Sequence, residues 1–309
     1  MTSASPSASS TPSASSADAR ADAPAASTPA PALPAPTLAS AVSSDGTAIA
    51  YRVLGDPAAR PLVLIHGWAQ SSASWGQDVL NDLARRFRVV AIDLRGHGHS
   101  DVPAGGYDSA PQWADDVEAV LDSAGITEGS GAILLGWSYG GVVVADYLAA
   151  RGEGRVGGIV LCGAVTSLSR SAGGAIGPAM KEVTSGGAFD EKPSVALAAF
   201  TSFGNAMMRS GSGPDEQRIL GLSLSTPPAV RQALLTRKVD NDDTLHGLSI
   251  PALVIHGAHD GVVLPSAGQA NAEMIPGGRY VEFAESAHAP FLEETPRFLA
   301  ELDGFAASL

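Results

Sequence analysis

The sequence has a single cysteine, Cys162, among 309 residues. One thiol cannot close an intrachain disulfide, and it leaves no cysteine-based metal site. Basic residues are also scarce: 19 Lys and Arg stand against 32 Asp and Glu, a formal net charge of -13. Phosphate attraction dominates nucleic-acid affinity, so an acidic chain without a Lys/Arg cluster is not expected to bind nucleic acid. No run of about 18 apolar residues occurs, so no membrane-spanning helix is expected. The 45% of hydrophobic residues is ordinary for a globular chain. The lone cysteine, and an N-terminal stretch with neither a basic start nor an apolar run, point to a cytoplasmic protein.

Residues 1–36 lack almost everything that packs. All but Met1, Asp18, Arg20, Asp22 and Leu33 are Ala, Ser, Pro or Thr. Burial within such a segment cannot offset the entropy of ordering it, so the composition predicts a disordered tail.

Residues 37–309 read as one α/β domain. Asp45-Gly46 is a turn dipeptide between extended runs and predicts a hairpin over 37–55. Short apolar runs follow at 62–65, 88–92, 132–135, 156–161, 252–255 and 279–283. Helical patterns separate them, over 71–86, from Ser109 to Gly125, over 141–150 and from Thr295 onward. Continuously apolar strands alternating with helices indicate a mostly parallel sheet covered on both faces. From about 166 to 246 the strand signals vanish. Ala196, Phe200, Phe203 and Met207 share one helical face, Val230 and Leu234 another, and Thr226-Pro227-Pro228 marks a helix start. This stretch predicts an all-helical insertion, a cap. Its Met180, Phe189, Phe200, Phe203, Met207 and Met208 either pack its own core or line a substrate pocket. No internal repeat is visible.

The sharpest chemical signal is Gly136-Trp137-Ser138-Tyr139-Gly140-Gly141, directly after an apolar strand and at the start of a helix. That is the setting of a G-x-S-x-G elbow, which lifts a serine hydroxyl over the end of a sheet. A hydroxyl nucleophile needs a base and an acid that orients it, in the chain order Ser, Asp or Glu, His. Four histidines follow Ser138: His246, His256, His259 and His288. Only His288 lies beyond the last strand at the reactive end, so it is the expected base. Asp260 follows the 252–255 strand at the same end and is the expected acid; Asp240, Asp242 and Asp243 lie nearby but read as a capping or solvated cluster. The two backbone donors of an oxyanion hole are expected at Tyr139, next to the nucleophile, and at Trp68, in the His66-Gly67-Trp68 loop after the first buried strand. Trp68 and Trp137 are also candidates for a pocket wall. No cofactor and no metal are expected. His66, His97, His99, His256 and His259 each sit in a recognisable turn, and Cys162 reads as a small buried core residue.

These residues resemble the α/β-hydrolase superfamily over about 37–309. The likeness rests on the His66-Gly67-Trp68 loop, the Asp93-Leu94-Arg95-Gly96-His97-Gly98-His99-Ser100 turn, the elbow, the His256 to Asp260 segment and the His288 loop with Pro290. It is greatest to the serine-type cofactor-free haloperoxidases, perhydrolases and small arylesterases or lactonases. Ser286 departs from the pattern, since relatives often carry glycine two residues before the histidine. The resemblance implies a Ser138–Asp260–His288 triad and an acyl-enzyme route. The nucleophile is serine where the related dehalogenases and epoxide hydrolases use aspartate, so halide or epoxide opening is not expected. The expected partner is a small-molecule substrate: a small, mostly apolar ester or lactone, with perhydrolysis as a near variant. Alternatives are carbon–carbon bond hydrolysis of a diketone-like compound and a ligand-binding protein with little turnover. The sequence leaves the oligomeric state open. A chain lacking residues 1–36 is expected to unfold at nearly the same temperature as the full chain, since the segment brings no core; a marked drop in calorimetric midpoint would contradict the reading of that segment.

Overall fold

The computed structural model describes residues 36–168, 175–209 and 213–309. The expected tail therefore lies, apart from Pro36, outside the described residues. Strands β1 (Thr37–Val42) and β2 (Ala48–Leu54) form the antiparallel hairpin, with Asp45 Oδ1 accepting the Thr47 N–H at 3.0 Å across its turn. The six apolar runs become β3 (Pro61–Ile65), β4 (Arg88–Ile92), β5 (Ala132–Trp137), β6 (Val156–Cys162), β7 (Ala252–Gly257) and β8 (Arg279–Phe283). Together they make one eight-stranded sheet in the order β1-β2-β4-β3-β5-β6-β7-β8. From β4 to β8 every pairing is parallel.

Parallel neighbours need crossovers, and helices supply them: α1 (Gln77–Ala84), α2 (Ala110–Ser123) and α3 (Gly140–Arg151). Ser109 caps α2 as its sequence suggests, its hydroxyl accepting the Gln112 N–H at 3.4 Å. β3 sits between β4 and β5, so the chain runs outward in both directions from it. At such a switch point the loops beyond the carboxyl ends of adjacent strands part and leave a crevice. The loops after β3 and β5 open side by side there, with Ile65 paired to Gly136.

One expectation fails after β3. The helix anticipated over 71–86 is broken into a 3-10 turn, Ser72–Trp75, and α1. Gly76 between them has φ +78°, outside the helical range and open to glycine at little steric cost. Trp75, Val79 and Leu83 are buried on both sides of the break, so the spacing alone did not reveal it.

Between β6 and β7 the described residues form α4 (Pro178–Ser185), α5 (Pro193–Met207), α6 (Gly213–Ser225), α7 (Pro228–Thr236) and α8 (Asp242–His246). The stretch is not wholly helical. Ile176 makes a β-bridge with Val263, beside the Gly177 N–H bond to the Val262 carbonyl at 2.8 Å. α9 (Pro265–Met274) follows β7. A short α10 (Pro290–Glu293), not anticipated from sequence, precedes α11 (Thr295–Ala307), which buries Phe298, Leu299, Leu302 and Phe305. Among the described residues no helix is long and apolar enough to cross a membrane.

Buried polar groups fix the loops at the carboxyl end of the sheet. The Leu94 N–H donates to His66 Nε2 at 3.0 Å, which leaves His66 Nδ1 to donate to the Gly67 carbonyl at 2.8 Å. Asp93 accepts the Ser72 N–H at 2.6 Å and the His99 N–H at 2.9 Å. Arg95 is fully buried and donates twice to Asp116, at 2.6 Å each, and to Asp45 at 3.0 Å, tying the β1–β2 turn to α2. Burial drives the His66 imidazole down to a pKa of about 4 and the His97 imidazole to about 3. Both are therefore neutral in the folded protein where the unfolded chain takes up protons. Stability is full above the ordinary imidazole pKa and falls with pH below about 6.5, by up to about 1.4 kcal/mol per pH unit for each ring. Denaturant unfolding at pH 7, 6 and 5 should show a steeper decline in wild type than in His97→Gln. Equal slopes would contradict the buried neutral imidazole.

Candidate active site

β5 passes into α3 through Ser138 and Tyr139. Ser138 has φ +55°, in the left-handed region, which costs a non-glycine residue about 1–3 kcal/mol. Its surroundings enforce that conformation. The Ser138 N–H donates to the Cys162 carbonyl of β6 at 3.0 Å, and its carbonyl accepts the Gly141 N–H at 3.0 Å. On the other side α3 approaches β3 so closely that a Cβ at Gly140 would lie 2.2 Å from the Ile65 carbonyl oxygen. Only glycine fits there, which is the steric reason for the second glycine of the elbow.

His288 lies in the loop between β8 and α10, and three contacts fix it. Its N–H donates to the Met207 carbonyl at the end of α5 at 2.9 Å, and its carbonyl accepts Trp137 Nε1–H at 2.8 Å. Its ring Nδ1 lies 2.7 Å from Asp260 Oδ2. With Nδ1 donating to that carboxylate, Nε2 is the acceptor nitrogen of the neutral ring.

Asp260 is buried just beyond β7, and both of its oxygens are occupied. Oδ1 accepts the N–H groups of Val262 and Val263, each at 2.9 Å. Oδ2 faces His288 and also lies 3.2 Å from His256 Nε2. That nitrogen is 3.0 Å from the Val263 carbonyl as well, so it meets two acceptors and must carry its proton. Burial alone would raise the Asp260 pKa. The attraction of His288 and the hydrogen bonds from His256 and His288 outweigh it and hold the carboxyl well below the usual carboxylate range. In the sequence His256 has a place among the histidines after Ser138 and in the segment leading to Asp260 but no contact with the acid, so its bond to Asp260 is an addition. The signal was its place four residues before the acid.

Trp68 and Tyr139 flank the serine. Among the described residues neither backbone N–H has an acceptor. The loop carrying Trp68 presses on the nucleophile, since a Cβ at Gly67 would lie 2.9 Å from Ser138 Cβ. Trp68, Ser138, Tyr139 and His288 line one narrow cavity. The rest of its wall is mostly apolar, and Met180, Phe203 and Met207 of the inserted helices belong to it. Phe200 and Met208 are buried elsewhere, while Phe189 packs edge-on against Trp68 at 6.4 Å between ring centres. Trp137 lines the cavity too, and among the described residues no charged side chain does. Ser286 uses its hydroxyl on Glu294 Oε2 at 2.7 Å. Cys162 is fully buried, and burial pushes its thiol pKa up.

This sheet order, with the elbow at its switch point, defines an α/β-hydrolase architecture. The chain belongs to the alpha/beta hydrolase fold family, whose pattern matches residues 60–295. Within the family it falls in the esterase and haloperoxidase group. A solved esterase from Rhodococcus sp. ECU1013 is 50% identical and superposes with a TM-score of 0.85, covering 88% of this chain and 99% of that one. A pimeloyl-acyl-carrier-protein methyl ester esterase from Vibrio campbellii is 30% identical over 253 residues, 80% of this chain and 94% of that protein. A non-heme chloroperoxidase from Streptomyces lividans is 39% identical over 128 residues, 41% of this chain and 45% of that protein, so this match spans less than half of that relative.

The strain at Ser138 has a measurable consequence. Ser138→Gly should be more stable than Ser138→Ala by about 1–2 kcal/mol in urea unfolding, because glycine enters the left-handed region without a Cβ clash. An alanine variant as stable as the glycine one would mean the backbone there is not strained.

Proposed function

We propose that this chain is a serine ester hydrolase that cleaves a small, mostly apolar carboxylic ester or lactone through an acyl-enzyme. The observation that carries the reading is the shared cavity: Ser138 and His288 line one mostly apolar space, while Asp260 is bound to His288 Nδ1. The esterase relatives support the same class.

In this reading Ser138 Oγ attacks the ester carbonyl carbon as His288 Nε2 takes its proton. The oxyanion accepts hydrogen bonds from the Trp68 and Tyr139 N–H groups. Asp260 holds the ring by Nδ1 and stabilises the imidazolium. The C–O bond then breaks, His288 returns its proton to the leaving alkoxide, and the alcohol departs. Water, deprotonated by His288, attacks the acyl-enzyme by the reverse sequence and releases the acid. The apolar wall favours an uncharged acyl group, since burying a charge without a partner is costly. Perhydrolysis, with peroxide in place of water at the second step, is a side activity of the same acyl-enzyme.

Hydrolysis of p-nitrophenyl acetate, butyrate and octanoate tests the reading. Ser138→Ala and His288→Ala should lose at least about 10³-fold in kcat, and Asp260→Asn about 10²-fold to 10⁴-fold, all remaining folded. In wild type kcat/KM should rise with pH to a plateau, because the base must be neutral. Turnover that survives Ser138→Ala, or a flat profile from pH 5 to 9, would overturn it.

A further inference from the structure

The two residues that present the oxyanion N–H groups share a less obvious feature. Each is anchored, through its side chain, to the same inserted helix. The Trp68 indole Nε1–H donates to the carbonyl of Arg231, within α7, at 2.8 Å. The Tyr139 hydroxyl accepts from Arg237 Nη1, at the carboxyl end of α7, at 2.9 Å. The two anchoring residues are six apart in the chain, Arg231 within the helix and Arg237 in the residue that caps its end. One helix thus holds both donors, which come from loops after different strands.

The anchors are built to be stiff. Arg237 and its partner Asp146 are both buried, with Nη2 to Oδ2 at 2.7 Å, and Asp146 lies on α3, the helix that Tyr139 opens. Asn241 Nδ2 donates to the other Asp146 oxygen at 3.2 Å and to the Thr166 carbonyl at 3.0 Å. At the other end, the Arg231 guanidinium lies 4.8 Å over the Phe200 ring, and Phe200 packs against Trp68 at 5.7 Å between centres. Next to Trp68, Gln70 reaches α6, donating to Ser223 Oγ at 2.8 Å. Leu235 of α7 lines the cavity itself, so the helix that holds the donors also touches the space where the acyl group sits.

We propose that α7 is a strut that sets the position of both oxyanion donors, with the Trp68 indole, the Tyr139 phenol and Arg237 as positioning residues. The inference rests on the ester-hydrolase reading above. Its physical basis is the steep distance and angle dependence of a hydrogen bond. The donors are backbone N–H groups with no other acceptor among the described residues, so their aim depends on what fixes the loops that carry them. Because the donor is main chain, removing a side-chain anchor leaves the donor chemically intact and changes only its placement.

The test uses Trp68→Phe and Tyr139→Phe in the full chain. Both keep an aromatic ring and the backbone N–H. Trp68→Phe leaves the Arg231 carbonyl in its helix, and Tyr139→Phe leaves Arg237 paired with Asp146. Arg237→Ala would strand a buried carboxylate and threaten the fold, so it is not the informative variant. For each Phe variant, kcat on p-nitrophenyl butyrate should fall about 10-fold to 100-fold with KM within threefold, as expected when transition-state donors are misplaced. The Ki of phenylboronic acid, whose serine adduct places an oxygen in the oxyanion hole, should rise by the factor that kcat/KM falls. A variant that only loosens the fold would not couple these two quantities. Variants with kcat and boronate affinity within twofold of wild type would overturn the proposal, and so would a fall in kcat with boronate affinity unchanged. A wild type inert on the esters, or as active after Ser138→Ala, would instead overturn the hydrolase reading and the strut with it.

Discussion

The turn at Ser138 constrains everything around it. A strand must become a helix within two residues, and the residue at the bend carries a side chain in the left-handed region. Three neighbours make this tolerable. β6 supplies an acceptor for the Ser138 N–H, the first turn of α3 uses its carbonyl, and Gly140 lets α3 lie almost against the β3 backbone. The result is a hydroxyl held over the carboxyl edge of the sheet, at the opening of a helix whose positive dipole end favours developing negative charge. The adjacent loops then have only one place to deliver their groups. The β3 loop brings Trp68, the β7 turn brings Asp260, and the β8 loop brings His288.

The hydrogen-bond network around Asp260 is the second determinant. A carboxylate buried this deeply would be expected to protonate, but four hydrogen-bonding groups surround it and keep it ionised. Two are backbone N–H groups of the turn that carries it, so the acid is fixed by the local chain. The other two are imidazoles. His288 is the partner proposed to move a proton. His256, trapped between Asp260 and the Val263 carbonyl, keeps its proton and serves to fill the remaining site on the same oxygen.

The centre of the sheet was legible because β3, β4, β5 and β7 are buried nearly throughout, which writes them as apolar runs, whereas β1 and β8 at the edges are partly exposed. The break at Gly76 was not legible, because the apolar spacing of Trp75, Val79 and Leu83 passes through it unchanged. The bridge from Ile176 to Val263 left no trace, since a single extended residue has no period. In the candidate site, Ser138, Tyr139 and Trp68 could be named because they sit in local patterns tied to a strand end, and Asp260 and His288 because chain order narrows the choice. The contacts of α7 could not be named. Trp68 and Arg231 are 163 residues apart, and Tyr139 and Arg237 are 98 apart. Nothing local distinguishes Arg237 from a solvated arginine, and only the fold buries it beside Asp146.

The account turns on Ser138 carrying the acyl group. The direct measurement is a rapid acid quench of the enzyme with a slowly hydrolysed aryl ester, followed by peptide mass mapping. The account predicts one acyl mass increment, confined to the peptide containing Ser138, formed in the burst and lost as product appears. An increment on any other residue, or steady turnover with no covalent species at any quench time, would contradict it.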